Sequence, residues 1–160
     1  MDPGTVDTLD DLYSTLSASF IRYVVEAAAT EVRDDFDRRV FALYEEWARA
    51  EAAHLGAVDE LLHEQLVHPV RGMWSLECSH FNYLSAAYLL GQVVRRMSDL
   101  VAKLQDFASR LRSWPEAQRV AEILLLTEQR FLEQVRALEA QAPREVPQPV
   151  KAKGTSASRW

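Results

Sequence analysis

The stretch LGQVVRRMSDLVAKLQDFASRL, residues 90–111, decides the fold class. Leu90, Val93, Met97, Leu100, Leu104, Phe107 and Leu111 recur at spacings of three and four, the signature of one face of an α-helix. The periodicity predicts a helix from about Glu77 to Arg112, third in order along the chain. Working outward, Ser113-Trp-Pro-Glu116 predicts the start of a fourth helix, ending near Gln141. Ser113 stands as N-cap, Pro115 lies in the first turn where a missing N–H costs little, and Glu116 completes a capping box. Toward the N-terminus, Pro69 and Gly72 punctuate a crossover over Val67 to Leu76. A second helix is predicted from Asp34 to Leu66, with Asp34, Asp35 and Asp37 complementing the positive end of its dipole. The first is predicted from Val6 to Thr30, opened by the pair Thr8 and Asp11 and striped by Leu12, Leu16, Phe20, Tyr23 and Ala27.

Short first and third connections make helices one and two antiparallel neighbours, and likewise three and four. With the longer middle connection the expected fold is all-α, an antiparallel four-helix bundle of two hairpins joined by a crossover, over residues 1–141. Residues 142–160 are expected to be a disordered basic tail. Pro143, Pro147 and Pro149 break any helix there, and Arg144, Lys151, Lys153 and Arg159 outnumber Glu145. The tail ends in Trp160, a candidate anchor for a protein partner or simply an unselected terminus.

Composition narrows the function classes. The chain has 160 residues, 48% of them apolar, so one domain with a real core is possible. A single cysteine, Cys78, excludes a disulfide scaffold and a Cys-based zinc site, and fits a reducing compartment. The net charge of −6 argues against a general nucleic-acid binder. The acidic start lacks the basic and apolar regions of a signal peptide, and no apolar run approaches the roughly 20 residues that span a bilayer. A cytoplasmic protein with no membrane and no nucleic-acid partner is expected. Gly-x-x-x-x-Gly-Lys, Gly-x-Gly-x-x-Gly and Gly-x-Ser-x-Gly motifs are all missing from the sequence.

Chemistry enters where the stripes carry polar residues. Trp47, Glu51, His54, Val58 and Leu61 form the stripe of helix two, and Leu124, Glu128, Phe131, Val135 and Leu138 that of helix four. A shift of 77 residues maps one set on the other, as an internal duplication would. Glu51, His54 and Glu128 occupy positions expected to be apolar, and a buried carboxylate must be paired, protonated or metal-bound. Glu51-x-x-His54 puts a carboxylate and an imidazole on one helix face, where both can hold one metal ion. Glu60-Leu-Leu-His63 and Glu77-Cys-Ser-His80 repeat that spacing, with His68 and Cys78 nearby. They read as a second metal cluster or as ordinary surface residues at a helix end.

The segment Ala48-Arg-Ala-Glu-Ala-Ala-His54-Leu55, preceded by Phe41-Ala-Leu-Tyr44, resembles the second helix of rubrerythrin-type ferritin-like proteins. The resemblance spans Ser17 to Gln141. It implies a bundle with a crossover between helices two and three and a di-iron site built from two glutamates and two Glu-x-x-His pairs. This chain departs from that pattern. Phe131 stands where the second histidine belongs, the first helix offers only the neighbourhood of Ala18, and the third offers Arg95 and Arg96.

Two functions follow as expectations. The first is a degenerate ferritin-like bundle without a complete di-iron site or cofactor, a non-catalytic association or scaffold module. Arg95 or Arg96 would there pair with Glu51 or Glu128 in place of a metal. The second is an iron- or zinc-binding protein or oxidoreductase with Glu51, His54 and Glu128 as ligands. A shifted register would turn the same side chains to solvent. Sequence alone leaves open whether the protein is an enzyme. Tyr83-Leu-Ser-Ala-Ala-Tyr-Leu-Leu is apolar on several faces and predicts a homodimer contact on helix three.

Overall fold

A computed structural model describes residues 1–143; the expected basic tail, 142–160, lies outside the described residues from Arg144 onward. The chain is all-helical. Five α-helices, α1 (Pro3–Ser17), α2 (Phe20–Glu26), α3 (Asp35–Glu64), α4 (Leu90–Arg110) and α5 (Pro115–Gln141), are joined by short turns and by one long connection. That connection holds a 3-10 helix, Leu76–Phe81. A lone parallel bridge, Glu31 to Ser85, is the sole β pairing among the described residues.

The packing follows the stripes. All seven apolar positions of residues 90–111 are buried. They meet α5 along its Leu124, Phe131 and Val135 face, and α3 turns Val40, Tyr44, Trp47, Val58 and Leu62 into the same core. Contacts close a cycle: α1 and α2 lie on α3 and on α4, α3 lies on α5, and α5 lies on α4. Residue numbers fall along one helix as they rise along its neighbour. Arg39 meets Gln141 while His54 meets Thr127 on α3 and α5. Thr8 meets Arg110 while Phe20 meets Arg96 between the first column and α4.

The long first helix breaks at Ala18. Hydroxyls at this point compete with the helical ladder for backbone groups, which a reading of apolar periodicity does not register. Ser17 Oγ donates to Ser14 O and accepts from Gly72 N. Ser19 becomes the N-cap of α2, accepting from Arg22 N. The Trp74 indole donates to Ser19 O at 3.1 Å, so the crossover runs against the break. Gly72 is required there, because a Cβ would lie 2.2 Å from Ser14 O.

The third helix starts at Leu90 rather than Glu77. Residues 82–89 are drawn instead to the loop after α2. Tyr83 N donates to Ala28 O, Glu31 N to Leu84 O and Ala86 N to Glu31 O. The buried Asp37 carboxylate ties both loops, accepting from Arg33 N and Ala87 N. Tyr83 and Tyr88 therefore sit on a loop and are exposed, so the predicted helical contact face does not form. Two caps also differ. The Ser113 and Thr5 hydroxyls are hydrogen-bonded to each other, leaving Trp114 at the N-cap position of α5. Thr8 lies inside α1 and bonds Gly4 O.

Candidate functional site

Glu51 and Glu128 are both 0% exposed, which removes the reading that turns them to solvent. α3 and α5 bring the two carboxyls close enough for each to act on the other's titration. Each is held by a donor on its outer oxygen. Ser19 Oγ donates to Glu51 Oε2 at 2.5 Å, and Trp47 Nε1 donates to Glu128 Oε2 at 2.7 Å. Glu51 Oε1 and Glu128 Oε1 are buried with no hydrogen-bond partner. Two buried carboxylates acting on each other repel, which favours the protonated form of the pair.

The electrostatics agree. Burial raises the Glu51 carboxyl well above the usual range, and the neighbouring Glu128 charge adds to the rise. The Ser19 hydroxyl and the Arg22 charge act the other way. Burial pushes Glu128 up to about 7, against the lowering effect of its bonds with Trp47 and Glu51. Both carboxyls are thus pushed toward the protonated form, with the indole holding Glu128 and the Ser19 hydroxyl holding Glu51. The pair titrates as a unit. Trp47 also stacks on Phe131, ring centroids 5.5 Å apart, closing the side of the pair where the resemblance calls for a histidine.

His54 is directed elsewhere. Its Nε2 lies 3.3 Å from Thr127 Oγ1, whose own proton goes to Ile123 O. The hydroxyl can then only accept, so Nε2 carries the hydrogen. Half-burial lowers the His54 pKa and keeps the ring neutral. Among the described residues, no three His, Cys, Asp or Glu side chains come together as a group able to hold a metal ion. The expected ligands Glu51 and Glu128 meet each other; His54 bonds Thr127.

Arg95 and Arg96 do not pair with the glutamates. Arg96 lies over the faces of Phe20 and Phe81, 5.0 and 5.1 Å from the ring centroids. No ion pair to Glu51 or Glu128 forms among the described residues. The Arg22 charge acts on Glu51, while its Nη2 bonds Glu26 at 2.9 Å.

The second candidate cluster also separates. His63 and His68 meet, Nε2 to Nδ1 at 3.4 Å, with His63 Nδ1 bonded to Asp59. Cys78 is buried beside Ser75, and His80 is exposed on the 3-10 helix.

Sequence reasoning missed Ser19, Trp47 and Thr127 as site residues. Trp47 carried a signal, since an indole N–H one turn before a stripe glutamate lies on the same face. Ser19 carried little, because only the break at Ala18 aims it at α3. Comparison of the chain with protein-family models, curated proteins and solved structures gave no match.

Proposed function

We propose that the chain is an antiparallel four-helix bundle of ferritin-like topology that acts as a non-catalytic association module and pairs with a second copy of itself. The topology is supported by the cycle of helix contacts and by the opposed numbering across α3–α5 and across the first column and α4. The interior positions that a di-iron site would use carry two buried carboxyls held by Trp47 and Ser19.

The observation that carries association is the crossover. Leu66, Val70, Met73 and Leu76 are 90%, 72%, 92% and 91% exposed on this one connection. Large apolar side chains gathered this way on a connection mark an interaction surface. A second copy is the simplest partner, because an isologous contact needs one self-complementary patch. Sedimentation of the full chain tests this. The expected result is a dimer that dissociates on the double substitution Met73→Glu, Leu76→Glu, with helical content unchanged. A wild-type monomer at every concentration would overturn the reading.

The second reading is an iron- or zinc-binding protein using Glu51, His54 and Glu128. It draws on the two buried carboxyl oxygens with no hydrogen-bond partner. Elemental analysis of protein purified without chelator separates the two. Well below one ion per chain is expected; stoichiometric iron or zinc, lost in Glu51→Ala, would establish the second.

A further inference from the structure

A cavity of about 270 Å³ opens beside the α1–α2 break, between that break, the crossover and α4. Its charged lining comes from α4: Arg96, Asp99 and Lys103, on successive turns of one face. Thr15 and Ser75 add hydroxyls from the two opposite walls, and Ser19 lies in the lining as well. Two cations face one carboxylate, so the cavity is net positive in a chain whose net charge is −6.

Arg96 is the built element. Phe20 and Phe81 meet edge to face, 5.5 Å between centroids, and the guanidinium lies over both rings. Contact with two ring faces fixes its plane and leaves its N–H edge unspent. Neither Arg96 nor Lys103 enters an ion pair among the described residues. A planar donor fork held by aromatic rings, with a mobile ammonium two turns along the same helix, matches the oxygens of a carboxylate or phosphate. The volume is at the lower edge of ligand sites, which restricts the occupant to a small molecule.

We propose that this cavity binds a small oxyanion, with Arg96 as the fixed donor and Lys103 closing over the ligand from the rim. The proposal is independent of whether the chain dimerises. Calorimetric titration of the full chain near neutral pH, at constant ionic strength set with sodium chloride, tests it with two probes, inorganic phosphate and succinate.

Saturable binding of at least one probe is expected, and the one preferred identifies the ligand as phosphate-like or carboxylate-like. Arg96→Met and Lys103→Met are each expected to weaken it about tenfold or more, the scale of one charge-assisted bond. Arg95→Met, on the exposed face next door, is expected to leave it unchanged. Lys103 is exposed, so its variant reads the site without risk to the fold. No saturable binding of either probe, or equal affinity in Lys103→Met and the wild type, would overturn the proposal.

Discussion

A carboxyl group with no exposed surface needs a partner or a proton, and burial pushes both Glu51 and Glu128 toward the protonated form. The consequence is a pH dependence of fixed sign. In the unfolded chain both groups titrate near their ordinary value of 4.5. Folded, Glu128 titrates at about 7, and Glu51 is also raised. Below the unfolded value both states are protonated and the pair contributes no difference. As pH rises toward the folded value, the unfolded chain releases protons that the folded chain keeps, so stability falls. The loss is on the order of a few kcal/mol for a shift of this size. Glu51→Gln keeps an amide donor for Glu128 and an acceptor for Ser19. Its denaturation midpoint is expected to change less than the wild type's between about pH 5 and about pH 8, and to exceed it at the upper end. Trp47→Phe removes the donor to Glu128 and is expected to destabilise by about 1–3 kcal/mol in denaturant titration. His54 acts in the opposite direction: its lowered pKa means that acidification charges the unfolded state first and withdraws its contribution.

The breaks decide where the helices place their side chains. Ser19 caps α2 and donates to Glu51, so Ser19→Ala is expected to cost about 1–3 kcal/mol and to raise the Glu51 pKa further. The two glycines at 56 and 72 provide a matched test. At Gly72 an added methyl meets Ser14 O at 2.2 Å and Ala18 Cβ at 2.9 Å, and Gly72→Ala is expected to destabilise by about 1–3 kcal/mol. Gly56, inside α3, has nothing within 4 Å of its Cβ position, and Gly56→Ala is expected to stabilise by up to about 1 kcal/mol. Equal effects from the two substitutions, read from chemical denaturation, would contradict the crossover packing. These positions also show what the sequence makes legible. The stripes of α3, α4 and α5 were readable because burial imposes a helical period on apolar residues, and Glu51 and Glu128 stood out against that period. The break at Ala18, the late start of α4 and the destination of the Ser113 hydroxyl were not. Each depends on a hydrogen bond between residues far apart in the chain: Gly72 to Ser17, Glu31 to Leu84, and Thr5 to Ser113.

For the whole molecule, the apolar core carries the fold and the ion pairs do not. Arg33–Glu31, Arg38–Asp35 and Arg110–Asp106 are largely exposed, and pairs of that kind contribute little. Salt screens them, and it also screens the repulsion within an acidic chain. Raising sodium chloride toward about 1 M is therefore expected to hold or raise the thermal midpoint; a marked fall would give the ion pairs a larger role. The core converges on the carboxyl pair, where α3 and α5 meet and where Ser19 and Trp47 close it from two sides. Carbon-detected NMR titration of the glutamate side-chain carboxyls in metal-free protein tests that claim most directly. The expected result is two coupled glutamates, assigned as 51 and 128, with Glu128 losing its proton near 7 and Glu51 also titrating well above 4.5. Both carboxyls titrating near 4.5, as ordinary glutamates do, would contradict a buried, coupled carboxyl pair at the centre of the fold.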